Sequence, residues 1–288
     1  MAPAFLAPAK INLTLEVLAR RDDGYHGIRS VMVPLDLADE LVIERSERFV
    51  FACDRADLEG NDNLVVRALA ALGELPPCRI ELRKRIPTQA GLGGGSSDAA
   101  AILRAAMAGA FGPRPAVDWL RIARGLGSDV PFFLAGTGAL VEGTGERVTP
   151  LGALPPWHAL VIKPPVDIST AAAYADLDRQ PRDSRPRSAS HSIAMLTALQ
   201  RGRFDEVEAL LQNDFQRVVA ARAPEIGAAI DALESAGAPK ALLAGSGSCV
   251  FTLADSRATI ERRLERLSLP DSYRRFAAAF AATPDWRA

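Results

Sequence analysis

The stretch PTQAGLGGGSSDAAA, residues 87–101, decides the reading of this chain. Gly91, Gly93, Gly94 and Gly95 lead into Ser96 and Ser97, and an alanine-rich run follows at once. Glycine in regular structure costs roughly 0.5–1 kcal/mol relative to alanine, so four of them in five positions call for a use. The first turn of a helix carries unpaired N–H donors and a partial positive charge. Glycines let backbone wrap an anion at that point, and two hydroxyls add donors. The alternative is a flexible loop with Ser97 as the N-cap of the following helix. A P-loop would need a lysine after the glycines, and the dinucleotide fingerprint begun at Gly91 falls on Ser96 where it needs glycine, so both fail. The run reads as a phosphate loop of another kind.

Working outward, Ile80, Leu82 and Ile86 mark a strand that delivers the chain to the glycines. Lys84 shares their parity and interrupts the apolar face; its ammonium either snorkels to solvent or reaches the anion. Behind the glycines, residues 97–110 have strong helix composition, with Ile102, Leu103 and Met107 for a buried side. Residues 117–125 predict a short helix, and Gly127-Ser128-Asp129-Val130-Pro131 a loop running into an apolar segment. Near the start, Ala9, Ile11, Leu13, Leu15 and Val17 alternate with Lys10, Asn12, Thr14 and Glu16, the period of a strand. Arg20 to Gly24 supplies turn chemistry, residues 31–35 and 41–43 read as two further strands, and residues 63–72 have helical spacing.

A Gly/Pro cluster at 151–156 suggests a division into residues 1–152 and 153–288. The second part predicts a strand at 158–162 and helices at 193–199, 204–211 and 224–235. Two strands, 241–243 and 249–253, flank Gly245-Ser246-Gly247-Ser248. Residues 181–192 (PRDSRPRSASHS) are polar and Pro/Ser/Arg-rich, the composition of a mobile segment. The mixed order of strands and helices implies an α+β protein in two domains.

Bulk composition narrows the function. A 288-residue chain that is 48% hydrophobic can bury a core, and a formal net charge of −1 gives no electrostatic footprint for nucleic acid or an acidic membrane. Three dispersed cysteines without a CxxC, and three histidines without an HExxH, indicate neither a disulfide framework nor a zinc site. The first ten residues lack a signal-peptide pattern, and no apolar run approaches the roughly 18–20 residues of a membrane span. The expectation is a soluble cytoplasmic protein.

Three stretches now stand in order: Pro8-Ala9-Lys10-Ile11-Asn12-Leu13, residues 87–101, and Ala244-Gly245-Ser246-Gly247-Ser248. Together they resemble the GHMP kinase superfamily of small-molecule kinases. Arg20-Arg21-Asp22-Asp23-Gly24-Tyr25-His26, residues 127–133 and Asn213-Asp214-Phe215 narrow the resemblance to the branch acting on a cytidylylated methylerythritol. It runs from about Pro8 to Leu253; Ala244 and Ser128 depart from its usual serine and alanine, and residues 181–192 match poorly. The resemblance implies a two-lobe fold, with an N-terminal lobe like the second domain of ribosomal protein S5 and a ferredoxin-like C-terminal lobe. It also implies ATP as co-substrate, transfer of its phosphoryl group to the 2-hydroxyl of the methylerythritol part, and magnesium with the ATP.

By spacing alone Asp129 reads equally as a cap or a catalytic base, and Lys10 equally as a solvent-facing strand residue. The resemblance makes Asp129 the base and Lys10 its partner, since an ammonium stabilises a developing alkoxide. Asp98 is the rival carboxylate, for which a structural place in the first turn is favoured. Tyr25 and His26 read alone as an ordinary turn; the resemblance makes them the base-reading pair, by stacking and hydrogen bonding. It places Tyr174 on the substrate wall with Asn12, Gly245 and Ser246, and the adenine near Asn61 and Asn63, although caps alone explain both asparagines. Lys84, Gly91, Gly93, Gly94, Gly95, Ser96 and Ser97 would hold the ATP. The rival functions are another alcohol kinase of the superfamily, of mevalonate, homoserine or sugar type, and a non-catalytic nucleotide sensor. The partner implied is a small molecule, and the assembly a monomer or homodimer.

Overall fold

The computed structural model describes residues 4–22, 24–113, 116–180 and 190–281. Its first lobe runs β1 (Ala4–Arg20), β2 (His26–Arg45), β3 (Val50–Cys53), α1 (Leu64–Ala70), β4 (Cys78–Arg83), α2 (Gly94–Met107), α3 (Trp119–Leu126), α4 (Val130–Ala135), β5 (Ala139–Gly143) and β6 (Arg147–Pro150). The second runs β7 (His158–Lys163), α5 (Thr170–Asp178), α6 (His191–Gln200), α7 (Phe204–Leu210), β8 (Gln212–Asn213), α8 (Gln216–Arg222), α9 (Pro224–Ser235), β9 (Leu242–Leu243), β10 (Val250–Ala254), α10 (Arg257–Arg266) and β11 (Arg274–Ala279).

β1 and β2 form a long antiparallel hairpin, with Asn12 opposite Met32 and Arg20 opposite His26. Its register shifts between Pro8 and Lys10 and again between Asn12 and Thr14, so irregularities flank the Lys10–Asn12 step, where a bulge re-aims side chains. The two strands expected at 31–35 and 41–43 are one strand, β2, because the shift opposite Ala9 absorbs Leu35 to Leu37 without ending the pairing. The sheet order is β3-β4-β2-β1-β8, with β5 on another stretch of β2 and β6 beside β5. A second sheet, β11-β7-β10-β9, belongs to the later lobe.

The lobes are stitched rather than strung. β8 pairs with β1 in parallel through Thr14–Gln212 and Leu15–Asn213. One buried cluster joins Ile11, Leu13 and Val31 of the first sheet to Val161, Phe251 and Met195 of the second lobe. Both faces of β1 are therefore covered. Its polar residues Lys10, Asn12, Thr14 and Glu16 are buried as well as its apolar ones, so the solvent-edge reading of Lys10 does not hold.

α2 is buried nearly all round, with Ala99, Ala100, Ala101, Ile102, Leu103, Ala105 and Ala106 inside. Alanine lets neighbouring elements close on it, and each fully buried large aliphatic adds about 1.5–3 kcal/mol. The helix starts at Gly94, three residues before the expected Ser97, with left-handed Gly93 as N-cap. The apolar segment after Asp129 is α4, a helix. Residues 181–189 of the segment expected to be mobile lie outside the described residues. Residues 190–192 are ordered: the Ser190 hydroxyl caps α6 and Ser192 is buried. Among the described residues no helix is long and apolar enough to cross a membrane.

Candidate active site

Two glycine-rich loops meet at the centre. A methyl group on Gly91 would stand 1.9 Å from the Ala244 carbonyl oxygen, so side-chain-free backbone is what allows the contact. The Ser248 and Cys249 amides donate to Gln89 O (3.3 Å) and Ala90 O (3.1 Å), and Lys10 N donates to Leu92 O (3.0 Å). Asn213 secures the late loop from below: its Nδ2 donates to Leu243 O (2.7 Å) and Gly245 O (2.8 Å), while its Oδ1 accepts from Phe215 N. Beside this junction lies a cavity of about 840 Å³. Its wall includes Gly91, Gly93, Gly94, Gly95 and Ser96, and the first amides of α2 open onto it.

Lys10, 3% exposed, reaches the same cavity. Its ammonium donates to Asn12 Oδ1 at 2.8 Å and lies 3.5 Å from Asp129 Oδ2. Asn12 Nδ2 donates to Ser30 Oγ (2.8 Å), whose hydroxyl donates to Thr14 O (2.6 Å), so a buried chain of hydrogen bonds fixes the lysine's neighbour. Asp129 sits at the N-cap position of α4, yet its carboxylate makes no capping hydrogen bond. Of the two readings its spacing left open, capping is thus removed. Gly93 keeps this corner open, since a methyl group there would fall 2.8 Å from the Phe133 ring and 3.3 Å from Lys10 Cε.

Four expected nucleotide contacts stand differently in the structure. Lys84 neither snorkels nor stands free for an anion: its ammonium is buried between Asp39 (2.5 Å) and Asp98 (2.6 Å). Asp39 also accepts from the Arg85 and Ile86 amides, which orients the entry to the glycine loop. Burial, helped by repulsion from Asp39 and opposed by Lys84, pushes the Asp98 carboxyl up to about 8. Burial works against the Lys84 charge, but the two carboxylates outweigh it and raise its pKa. Ser97 is 1% exposed, off the cavity wall, with its hydroxyl unpartnered inside the protein. Asn61 is exposed and off the wall, where Asp62 and Asn63 stand instead. Asn63 spends its side chain on the α1 cap, accepting from Val65 N at 2.9 Å.

A second cavity, of about 900 Å³, adjoins the first and shares Ser128, Thr144, Thr170 and Tyr174 with it. Tyr25, 69% exposed, and His26 line it. The His26 ring stacks on Tyr174 (centroids 5.6 Å, 8° between planes), and Tyr174 meets Phe215 edge-on at 4.8 Å. The His26 ring nitrogens face Leu18 O (3.2 Å) and the Asp178 carboxylate (3.0 Å), so this side chain braces Tyr174. Burial first, and the Asp129 charge second, raise the Tyr174 phenol. Gly245 and Ser246 border the first cavity, and Ser246 Oγ lies 2.8 Å from Thr170 Oγ1.

The arrangement is an anion cradle, a paired lysine and aspartate, and an aromatic annex. Family models for the GHMP kinases N terminal domain and the GHMP kinases C terminal match residues 63–137 and 195–270. A 4-diphosphocytidyl-2-C-methyl-D-erythritol kinase from Deinococcus radiodurans is 42% identical over 259 residues, covering 88% of this chain and 84% of the relative. The chain belongs to the 4-diphosphocytidyl-2-C-methyl-D-erythritol kinase family.

The same family name is carried by a Symbiobacterium thermophilum relative, 42% identical over 270 residues and 90% of this chain. A crystal structure of 4-(cytidine 5'-diphospho)-2C-methyl-D-erythritol kinase matches with a TM-score of 0.80 at 40% identity, covering 96% of this chain and 98% of that one. A homoserine kinase from Cytophaga hutchinsonii, at 17% identity and a TM-score of 0.68, shares the fold. Membership makes the chain an ATP-dependent small-molecule kinase of α+β GHMP fold. Several groups on or behind this wall carry no signal in the sequence, among them Asp39, Asp62, Thr144 and Thr170. Asp62 lies between the two asparagines expected near the adenine, and Asp39 comes from β2, a strand distant in sequence from Lys84.

Proposed function

We propose that the chain transfers the γ-phosphoryl group of ATP to the 2-hydroxyl of 4-(cytidine 5'-diphospho)-2-C-methyl-D-erythritol, giving the 2-phosphate and ADP for non-mevalonate isoprenoid synthesis. The observation that carries the reading is the Asp129 carboxylate. It is unused as a cap and 3.5 Å from the Lys10 ammonium, on a cavity that runs from the open start of α2 toward Tyr25 and Tyr174.

Phosphoryl transfer rests on positioning and charge stabilisation. The amides of residues 93–96 and the Ser96 hydroxyl hold the triphosphate, with the α2 dipole behind them. Asp129 accepts the proton of the attacking hydroxyl. Lys10, fixed by Asn12, stabilises the alkoxide as it develops. Tyr25 and Tyr174 hold the pyrimidine between aromatic faces. On this reading residues 1–152 form the nucleotide lobe and 153–288 the second lobe.

Magnesium belongs to the proposal. Among the described residues no cluster of three His, Cys, Asp or Glu could hold a metal alone. That fits an ion that arrives on a triphosphate and keeps much of its shell from phosphate and water. Asp98 Oδ1, buried without a partner on the cavity wall, and the Ser96 hydroxyl are the protein groups that would face it. Bound there it would neutralise phosphate charge.

A coupled ADP-release assay tests the reading, with the cytidylylated methylerythritol as substrate and methylerythritol phosphate without its cytidylyl group as control. Turnover of the first and little of the second is expected. Equal turnover, or preference for mevalonate or homoserine, would overturn the substrate; ATP binding without turnover of any alcohol would favour a sensor.

A further inference from the structure

We infer that Arg124 sets substrate specificity by taking the diphosphate that joins the cytidine to the polyol; this rests on the proposed function. The second cavity is lined by Tyr25 and shares Ser128, Thr144, Thr170 and Tyr174 with the cavity of Asp129. A substrate with its base on the tyrosines and its hydroxyl at Asp129 must lay its diphosphate across that shared wall. A dianionic linker there needs a counter-charge, and among the described residues the arginines and carboxylates that line the second cavity are Arg20, Arg124, Glu146 and Asp178.

Most of these are already committed. The Glu146 carboxylate turns back into its own hairpin, accepting from Thr144 N (2.5 Å) and Thr144 Oγ1 (2.9 Å). Asp178 faces His26. Arg20 closes the β1–β2 turn through Nε to Gly24 O (2.9 Å). Arg124 stands apart: it is exposed, lines the cavity, and has no carboxylate partner among the described residues.

Its place is fixed by the same connection that fixes Asp129. The Asp118 side chain caps α3 by accepting from Arg121 N (3.0 Å), and the helix ends at Leu126, directly before the Gly127-Ser128-Asp129 turn. A planar guanidinium offers a paired donor set that matches phosphate oxygens. Arg121, one turn earlier, is exposed and off both cavity walls, and serves as the control for charge.

The test is steady-state kinetics of wild type, Arg124→Gln, Arg124→Lys and Arg121→Gln, varying each substrate in turn, with CDP and cytidine as competitive inhibitors. Arg124→Gln should raise KM for the cytidylylated substrate and weaken CDP inhibition by about tenfold to a hundredfold, the range of a lost charged hydrogen bond. KM for ATP and inhibition by cytidine should stay within about twofold, Arg124→Lys should recover part of the loss, and Arg121→Gln should match wild type. If wild type turns over the substrate and Arg124→Gln leaves its KM and CDP inhibition unchanged, or weakens cytidine as much as CDP, the inference is overturned alone. If wild type does not turn over the substrate, the proposed function fails and the inference falls with it.

Discussion

Replacing Asp129 by asparagine keeps the shape of the site and removes the proposed proton acceptor. General base catalysis is worth about 10²–10⁴ in rate, so Asp129→Asn should lower kcat by that factor while KM for ATP changes little. Lys10→Ala should also lose turnover far more than ATP affinity, because its ammonium pairs with Asp129, the proposed base. Stopped-time assays with isothermal titration of ATP check both, and near-normal turnover in both purified variants would defeat the assignment. Much at this scale was legible in the sequence. A lysine and an asparagine two apart on a strand share a face, and a carboxylate leading into an apolar segment needs a use. Lys84 was not legible as it stands, because its charge is taken by Asp39, which comes from another strand. Ser97 was misread because the helix begins within the glycines, which turns the second serine inward.

Turns and caps place the reacting groups. The β5–β6 turn rests on the residue before Asp129: Gly145 has φ +113°, and a methyl group there would stand 2.4 Å from the Ser128 carbonyl oxygen. Gly145→Ala must therefore push the Ser128–Asp129 turn away. A misplacement of about 1 Å can cost on the order of 10²-fold, so kcat should fall steeply with KM for ATP near normal, as initial-rate kinetics will show. On the other side of the sheet, Glu16 of β1 holds the start of α6, accepting from Ser190 Oγ (2.7 Å), Ser192 N (3.2 Å) and His191 N (3.3 Å). Burial alone would raise its pKa, but these hydroxyl and amide donors together lower it below the ordinary 4.5. A carboxylate depressed on folding stabilises the fold above its unfolded pKa, and that stability is lost as pH falls through the folded value. Glu16→Gln should thus cost about 1 kcal/mol at pH 7, the scale of a lost cap, with the deficit shrinking below about pH 4.5. Urea melts across that range measure it. Period-two alternation made β1 readable at this scale, helix composition the helix after the glycines, and Pro224 with Gly237 the limits of α9. The join of residues 31–35 to 41–43 was hidden, since a register shift leaves no mark in one strand's own pattern.

At the scale of the whole molecule, the site exists because two lobes share a strand ladder and a core. β8 pairs with β1, the strand that carries Lys10, and Asn213, at the end of β8, holds the late Gly-Ser loop against the glycine-rich loop before α2. The α+β plan was readable from element order. The passage of β8 from the second lobe into the first sheet was not, because a two-residue strand has no period of its own. That stitching sets the two cavities side by side, so one molecule can hold a nucleotide tail at α2 and a second ligand along the shared wall of Ser128, Thr144 and Thr170. The most direct measurement is a crystal structure with a non-hydrolysable ATP analogue and the cytidylylated methylerythritol bound together. The triphosphate should lie on the amides of residues 93–96, and the 2-hydroxyl within about 2.6–3.2 Å of the Asp129 carboxylate. A triphosphate bound away from α2, or a 2-hydroxyl that meets no atom of Asp129 directly or through one water, would contradict the account.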